Sequence, residues 1–289
     1  MTGSAPRVRC LTAANPSPLT GTGTNTYLVG SREVAVIDPG PDLPAHLDAI
    51  LSGLGPGERI TQIIVTHAHR DHSELAPRLA KATGAEILAY GTATEGRSPL
   101  MERLAEGLPP SGEGLDLSFA PDRQLRDGDS IAGPDWDLAA IHTPGHLGGH
   151  LCLSLGDTLF SGDQVMGWST TLVAPPDGDM GAYMASLQGL QSGRWRRFLP
   201  GHGASIEDPP TRLAELVAHR LMREAAILER LATAPATIPD LTRQIYQDTP
   251  ARLLPAAERN VLAHLIDLAS KNMVLASPSL DHNALYQRL

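Results

Sequence analysis

The chain of 289 residues is long enough for one large α/β domain, or for such a domain with a small appendage. Hydrophobic residues make up 42% and charged residues 19%, which excludes the disordered, collagen-like and coiled-coil classes. The formal net charge of −9 disfavours duplex nucleic acid and anionic membranes as partners, because like charges repel at long range.

The amino-terminal residues 1–10 contain no apolar stretch of the kind that forms a secretion signal. Elsewhere no apolar run approaches the ~18 residues that a membrane helix needs. We therefore expect a cytoplasmic location and no membrane partner. The two cysteines, Cys10 and Cys152, match no C-x-x-C pattern, which argues against a disulfide framework and a thiolate zinc site. Any metal is then expected to be bound by histidines and carboxylates.

Short β-type runs alternate with helical patterns over the first two hundred residues, which is typical of an α/β layered fold. The sequence predicts strands at 26–29, 33–38, 60–66, 86–89, 136–141, 150–155 and 158–160. Polar starts and helical spacing of apolar residues predict helices at 43–54, 73–82 and 180–190. The segment 104–122 is rich in Pro and Gly, and we predict an insertion or a long surface loop there.

A dense histidine cluster, His67-Ala-His69-Arg-Asp71-His72, follows the strand predicted to end near Val65. Such a cluster is a poor structural choice without a cation, because each buried ring nitrogen needs a partner. In an extended or turning segment His67 and His69 project to one side, and Asp71 and His72 can face a second centre. Imidazole and carboxylate ligands suit zinc, with iron or manganese as substitutes. The alternative is a solvated histidine cluster at a turn.

Three later segments repeat the placement of a polar side chain just beyond a predicted strand end. They are His142-Thr-Pro-Gly-His146, Ser161-Gly-Asp163 and Pro200-Gly-His202. Gly and Pro beside each candidate permit the sharp turns and close backbone approach that a buried ion demands. Singly each motif is weak, but behind the histidine cluster they supply the ligands that the site would lack. The predicted metal ligands are His67, His69, Asp71, His72, His146, Asp163 and His202.

The pattern changes after His202. A long amphipathic helix is predicted at 211–231, followed by helical patterns at 238–246 and 255–271 and by short strands at 273–276 and 284–286. Three helices and a hairpin in this order are typical of a winged-helix module. Its nearly neutral charge, with 9 basic and 10 acidic residues from 205 onward, provides no basic face for DNA. We predict a domain over 1–207 and a helical module over 208–289 that forms a wall of the active-site cleft or a contact in a homodimer.

The order of these motifs resembles that of the metallo-β-lactamase superfamily. The resemblance extends upstream to Val36-Ile-Asp38-Pro-Gly40, which is similar to a family motif whose aspartate supports the metal ligands from behind. Segments 23–30, 161–171 and 183–187 and the carboxy-terminal module are most similar to the lactamase-beta-like protein 2 family. The resemblance covers nearly the whole chain and implies an α+β fold, a four-layer αβ/βα sandwich with a winged-helix-like module at its carboxyl end.

The same resemblance implies two divalent metal ions and a division of the ligands between them. One metal would be held by His67, His69 and His146, and the second by Asp71, His72 and His202, with Asp163 bridging. Two cations about 3.5–4 Å apart can share a hydroxide that serves as nucleophile, while one of them polarises the scissile bond. Asp71 is the expected catalytic carboxylate, which would orient that nucleophile and relay its proton.

The expected reaction is hydrolysis of an ester, thioester, lactone or related acyl bond in a small molecule. The alternative is single-strand-specific cleavage of RNA with the same metals, and a third hypothesis is a metal-bound binding protein without turnover. Asp163 stands where one antibiotic-hydrolysing subclass has a cysteine, so we do not expect an efficient β-lactamase of that subclass. Glu74 and Leu147 also depart from common family patterns and put the supporting contacts around the ligands in doubt.

Several further residues are candidates for contact with substrate. His150 is a second catalytic candidate, which would protonate a leaving group or contact a phosphate, or would only hydrogen-bond a neighbouring turn. Trp168 and Thr170 follow the bridging aspartate and are expected to line the pocket, unless the tryptophan only covers the edge of the core. Asn25 is expected to bind substrate or to cap a turn. The basic run 194–197 suggests phosphate binding or, more simply, a solvated strand edge.

Overall fold

In the computed structural model, which describes residues 6–108 and 114–289, two mixed β-sheets pack face to face. The first sheet contains β1 (Val8–Thr12), β2 (Asn25–Val29), β3 (Glu33–Ile37), β4 (Arg59–Ile64), β5 (Glu86–Ala89) and β6 (Arg123–Gln124), in that spatial order. The β1/β2 and β2/β3 pairs are antiparallel, whereas β3, β4, β5 and β6 run parallel to one another.

The second sheet is mostly antiparallel. Its strands are β7 (Ser130–Ala132), β8 (Asp137–His142), β9 (Leu151–Leu155), β10 (Thr158–Gly162) and β11 (Arg197–Pro200). Their spatial order is β11-β10-β9-β8-β7, and only the β10/β11 pair is parallel. Consequently β10 and β11 end at the same edge of the sheet, where Asp163 and His202 follow.

Helices cover the outer faces of the two sheets. The helices are α1 (Pro44–Ser52), α2 (Arg70–Ser73), α3 (Ala76–Thr83), α4 (Pro99–Ala105), α5 (Met180–Gln191), α6 (Pro209–Leu231), α7 (Ile238–Ile245) and α8 (Leu254–Ser270). Helices α1 and α3 pack on the first sheet, and α5 and the first half of α6 pack on the second. These four layers confirm the predicted αβ/βα sandwich.

Strand β3 illustrates why the sequence forms this layered core. Its alternate residues Val34 and Val36 pack toward α1 and α3, while Ala35 and Ile37 pack toward the second sheet. A strand buried on both faces reads as a continuous apolar run, because successive side chains point to opposite sides of the sheet. The run 34–37 is therefore apolar at every position.

The carboxy-terminal part has its own apolar core, which includes the second half of α6 together with α7, α8 and the hairpin β12 (Val274–Ser277) and β13 (Leu285–Arg288). Helix α6 belongs to both cores, since Leu213 and Leu216 pack with α5 whereas Ile227 and Leu231 pack with α8. The predicted order of helices and hairpin is present. The division at residue 207 stays a prediction.

The sequence missed several short elements. Strands β1, β6 and β7 are only 5, 2 and 3 residues long and carry weak patterns. The predicted loop 104–122 begins inside α4, whose Met101 packs into the carboxy-terminal core. Residues 109–113 of that predicted loop lie outside the described residues. Over 6–108 and 114–289, every helix is too short or too polar to cross a lipid bilayer.

The carboxy-terminal core is expected to contribute measurably to stability. Leu265 in α8 is 0% exposed, and replacing it by alanine leaves a cavity that should lower the free energy of unfolding by about 2–4 kcal/mol. Leu275 on β12 is 47% exposed, so Leu275→Ala should change that free energy by less than about 0.5 kcal/mol. Urea unfolding followed by circular dichroism measures both values. Equal losses would contradict this assignment of the core.

Candidate metal centre

The predicted ligands converge at one edge of the sandwich, where strands from both sheets end. Strand β4 ends at Ile64 and leads into the histidine cluster, whose last members lie in α2. Strands β10 and β11 deliver Asp163 and His202 from the facing sheet. The loop between β8 and β9 adds His146. Side chains that are remote in sequence are thus brought together by sheet topology.

His67, His69 and His146 form the first group. One ring nitrogen from each lies within 4.8 Å of the others, and all three residues are buried. His146 Nε2 and His69 Nδ1 lie 3.0 Å apart. The three rings therefore direct nitrogens toward one point, as ligands of a tetrahedral cation do.

Asp71, His72 and His202 form the second group, within the same 4.8 Å limit. Asp71 Oδ2 lies 3.3 Å from His202 Nε2 and 3.6 Å from His72 Nε2. The carboxylate of Asp163 lies between the two groups, with Oδ1 3.5 Å from His72 Nε2 and Oδ2 3.7 Å from His146 Nε2. All seven predicted ligands are therefore close together.

Asp38 supports this cluster from behind. It is buried, and its carboxylate accepts hydrogen bonds from the Thr66 amide at 2.7 Å and the Thr66 hydroxyl at 2.8 Å. His72 Nδ1 lies 2.9 Å from Asp38 Oδ2, so the ring donates to the carboxylate through Nδ1. This leaves Nε2 as the nitrogen of His72 that faces Asp71 and Asp163 and can serve as a ligand.

Other rings are oriented in the same way by protein acceptors. His146 Nδ1 donates to the Leu172 carbonyl at 2.7 Å, and His202 Nδ1 donates to the Gly23 carbonyl at 3.1 Å. The Thr66 hydroxyl gives its proton to Asp38, so His67 Nδ1 donates to that hydroxyl at 2.9 Å. In His67 and His146 Nε2 is then the unprotonated nitrogen, which is the form a metal ligand requires, and in His202 Nε2 is the nitrogen that faces Asp71 and Asp163.

The segment around Leu172 is held by the carboxy-terminal helices. Arg220 of α6 donates to the Thr171 carbonyl, and Asn260 Oδ1 of α8 accepts from the Val173 amide at 3.2 Å. Arg220 also donates to Asn260 Oδ1 at 3.2 Å. These contacts flank the Leu172 carbonyl that orients His146. The carboxy-terminal module thus contributes indirectly to the cluster.

Unpartnered atoms provide a test of whether a metal fits here. His67 Nε2 and Asp163 Oδ1 are buried and have no hydrogen-bond partner. His72 Nε2 and His202 Nε2 face each other at 3.4 Å, although both rings already donate through Nδ1. Unpartnered buried acceptors and facing ring nitrogens of this kind are unfavourable unless a cation lies among them. The donor set therefore fits divalent metal ions bound by nitrogen and oxygen.

The electrostatics of the cluster also favour a cation. Burial lowers the pKa of His67 and His146 and lowers the pKa of His69 to about 3, which keeps these rings neutral. Burial acts in the same direction on His202, but Asp163 and Asp71 outweigh it and raise the pKa of His202 to about 10. The negative charge of these two carboxylates favours a proton on His202, and it favours a bound metal ion for the same reason.

Gly201 leaves the space in which two of these side chains meet. A Cβ atom at this position would lie 2.5 Å from Asp163 Oδ1 and 2.7 Å from His72 Cε1. Real Cβ contacts are essentially never this short. The glycine before His202 is therefore a steric requirement of the cluster, and the Pro-Gly-His pattern was a useful signal for it.

A cavity of about 200 Å³ opens onto the cluster. Asp71, His69, His146, Asp163 and His202 lie at its base. The remainder of its lining comes from two loops: Ser17, Pro18, Leu19, Thr20, Met166, Ser169, Thr170 and Leu172. Thr170 was predicted to line the pocket and lies there. The 17–20 loop was not predicted, because nothing in its sequence marks it as close to ligands that lie between His67 and His202.

The other candidates for contact with substrate lie elsewhere. Asn25 is 4% exposed and donates to the carbonyls of Pro200 and Gly203, so it holds the His202 loop. Trp168 is 47% exposed and packs against Gly21 and Gly203 rather than lining the cavity.

His150 is fully buried, and both of its ring nitrogens have partners. Its Nδ1 lies 2.9 Å from the Thr143 hydroxyl, and its Nε2 accepts from the Asp163 amide at 3.2 Å. The ring is not part of the lining of the cavity. This placement does not agree with direct protonation of a leaving group and corresponds to the hydrogen-bonded alternative.

Comparison with known proteins identifies the family. A profile of the metallo-beta-lactamase superfamily matches residues 19–202, and one of the beta-lactamase associated winged helix domain matches residues 237–279. A beta-lactamase-like protein 2 homolog of Drosophila melanogaster is 31% identical over 281 residues, covering 92% of this chain and 89% of that protein.

Two further proteins provide functional and structural context. An atrochrysone carboxyl ACP thioesterase of Aspergillus chevalieri is 32% identical over 235 residues, covering 78% of this chain and 66% of that protein. A metallo-beta-lactamase family protein from Thermus thermophilus has the same fold, with a TM-score of 0.76 at 24% identity over 98% of both chains. With its converging histidines and carboxylates, this chain belongs to the metallo-beta-lactamase superfamily of metal-dependent hydrolases and carries the winged helix domain associated with it.

Proposed function

We propose that the chain is a dinuclear-metal hydrolase that cleaves an ester, thioester, lactone or related acyl bond in a small molecule. The observation that carries the proposal is the convergence of histidine ring nitrogens and two carboxylates at the base of one cavity. The similarity to an ACP thioesterase supports the acyl class of substrate.

In this proposal the ligands divide into two sets. His67, His69 and His146 would hold one metal, whereas Asp71, His72 and His202 would hold the other, and Asp163 lies between the two sets. When bound, such a pair of cations activates water and polarises the scissile bond. The contacts of Asp38, Thr66, Leu172 and Gly23 fix the ring orientations before any metal arrives. Fixed ligands lower the reorganisation that metal binding and turnover require.

Asp71 is the residue proposed to accept the proton of the attacking water. Its side chain is 28% exposed, against 11% for Asp163, so it is the carboxylate more open to the cavity. The Thr24 hydroxyl lies 3.3 Å from Asp71 Oδ2 and holds the carboxylate toward His202. His150 is proposed to position Asp163 through its backbone amide rather than to transfer a proton.

The lining of the cavity favours an acyl group over a phosphodiester. Pro18, Leu19, Met166 and Leu172 provide apolar surface, and Thr170 adds a hydroxyl. Within the described part of the chain, the lining of this cavity includes no Lys or Arg. Cleavage of RNA would develop more negative charge and usually recruits such cations. An acyl chain needs only apolar contact beside the metals.

The test combines metal content with turnover. Mass spectrometry of the purified chain should detect about two divalent metal ions per molecule, and should identify them as zinc, iron or manganese. The same sample should hydrolyse members of a panel of acyl thioesters, esters and lactones and leave a fluorogenic single-stranded RNA intact. A chelator should abolish the turnover and lower the melting temperature, because the ions stabilise the folded chain that binds them.

Two other results would contradict different parts of this proposal. Cleavage of RNA without cleavage of acyl compounds would replace the proposed substrate class and keep the metal centre. A fully metal-loaded chain that turns over none of these compounds would contradict the proposed acyl hydrolase.

A further inference from the structure

A second cavity of about 230 Å³ adjoins the one above the metal centre. Five residues line both cavities: Pro18, Leu19, Ser169, Thr170 and Leu172. The far wall of the second cavity comes from the carboxy-terminal helices, through residues that include Tyr246, Thr249 and Asn260. A substrate with its reactive bond at the metals can therefore extend into this second space.

Three basic side chains of α6 line the second cavity, namely His219, Arg220 and Arg223. Arg220 is 1% exposed, and its Nε has no hydrogen-bond partner. Arg223 is half-buried; it donates to the Ile245 carbonyl at 2.8 Å and lies over the Tyr246 ring at 4.4 Å. His219 Nδ1 is buried and has no partner. The two guanidinium groups give this wall its positive charge, and Arg220 Nε and His219 Nδ1 add unused hydrogen-bonding capacity.

The positive charge of this wall is not neutralised within the described part of the chain. Among residues 6–108 and 114–289, no carboxylate lies within ion-pair distance of Arg220 or Arg223, and the residues that line the cavity include neither Asp nor Glu. Burial, together with Arg220 and Arg223, lowers the pKa of His219 to about 4. Burying a guanidinium without a counter-charge is costly, and in a chain of net charge −9 the arrangement is unusual.

We propose that this second cavity is a subsite for an anionic group, a phosphate or carboxylate, at the non-reacting end of the acyl substrate. Arg223 is the half-buried donor that reaches the anion, while Arg220 strengthens the positive potential from behind. Guanidinium groups bind phosphate and carboxylate oxygens through paired hydrogen bonds, and a partly desolvated cavity strengthens those bonds. The inference rests on the proposed function, because it places the anion on the same molecule as the acyl bond.

Binding to the metal-loaded full chain tests the subsite without relying on turnover. Titration calorimetry compares pantetheine with 4′-phosphopantetheine, which differ only by a phosphate group. The wild-type chain should bind the phosphorylated compound about tenfold more tightly or better. Arg223→Gln should abolish this preference, and Arg223→Lys should keep part of it, because lysine retains the charge. A succinate ester of pantetheine tests the carboxylate, and tighter binding than the phosphate would assign the subsite to carboxylates.

Arg230→Gln is the matched control, since Arg230 is an exposed residue on the same helix and does not line the cavity. It should keep the full preference for the phosphorylated compound. Equal binding of the neutral and both anionic compounds by the wild-type chain would overturn the proposal. So would an equal loss of preference in Arg230→Gln and Arg223→Gln, because the effect would then be one of overall charge.

Turnover of matched acyl thioesters distinguishes the proposed acyl-hydrolase function from the proposed anion subsite. With the phosphorylated and unphosphorylated thioesters, Arg223→Gln should lower the ratio of their kcat/KM values by about tenfold, mainly through KM. A chain that binds the phosphate but cleaves no acyl compound would contradict the proposed function and leave the anion subsite standing. A chain that cleaves both thioesters equally well would retain the function and contradict the subsite. Displacement of 4′-phosphopantetheine by single-stranded RNA alone would reassign the cavity to nucleic acid.

Discussion

Replacing Asp163 by asparagine is expected to lower the turnover of an acyl substrate by about three orders of magnitude, or ~4 kcal/mol of activation free energy. The carboxylate lies between three ring nitrogens, at 3.5 Å from His72, 3.7 Å from His146 and 3.3 Å from His202. An amide has the same shape but no charge, and it presents a donor where the site needs an acceptor. Metal content by mass spectrometry should fall with kcat/KM.

Asp157→Asn is the matched control for this change. Asp157 lies in the turn between β9 and β10, its side chain is 56% exposed, and it forms an ion pair with the exposed Arg196. This control should retain metal and turnover within about twofold, since exposed ion pairs contribute little. Full metal content and wild-type kcat/KM in Asp163→Asn would remove Asp163 from the metal centre.

Gly201→Ala is expected to disturb the metal centre without changing any ligand. The added methyl group would lie 2.5 Å from Asp163 Oδ1 and 2.7 Å from His72 Cε1, so at least one of these side chains must move. Displacement of a reacting or metal-binding group by about 1 Å costs on the order of 100-fold in rate. We expect a loss of that size in kcat/KM and a lower metal content, measured as for Asp163→Asn.

Gly189→Ala provides the corresponding control, because an added Cβ there meets nothing within 4 Å. Gly189 lies inside α5, where alanine is the better helix former, so the variant should be active and slightly more stable. Circular dichroism and thermal melting check that Gly201→Ala is folded. A folded Gly201→Ala chain with unchanged metal content and rate would mean that the cluster tolerates more movement than its packing implies.

The fold and the group of candidate ligands could be predicted from the sequence, because local sequence patterns indicate both. Strand β3 is apolar at 34–37, which marks a strand buried on both faces. His67, His69, Asp71 and His72 stand immediately beyond a strand, and glycines precede His146 and His202. Sheet topology then brings these segments together. Their assignment as metal ligands stays a prediction until metal content is measured.

The contacts of individual polar residues could not be predicted from the sequence, because their partners lie in other segments of the chain. Asn25 donates to carbonyls 175 and 178 residues away, and no local pattern distinguishes this role from substrate binding. The ring of His150 accepts a hydrogen bond from the backbone amide of Asp163, 13 residues further along, and no local pattern distinguishes this role from proton transfer. The two arginines of the second cavity lie within an ordinary amphipathic helix, where charged residues usually face solvent.

The contacts around Leu172 have a consequence for how this protein can be divided or recombined. Arg220 holds the Thr171 carbonyl and Asn260 holds the Val173 amide, and the Leu172 carbonyl between them orients His146. A chain shortened to residues 1–207 would retain all the predicted ligands and lose both the Arg220 and the Asn260 contact. A shortened chain that keeps His146 oriented must therefore retain α8, which carries Asn260, and any exchange of carboxy-terminal modules among relatives must preserve these two contacts.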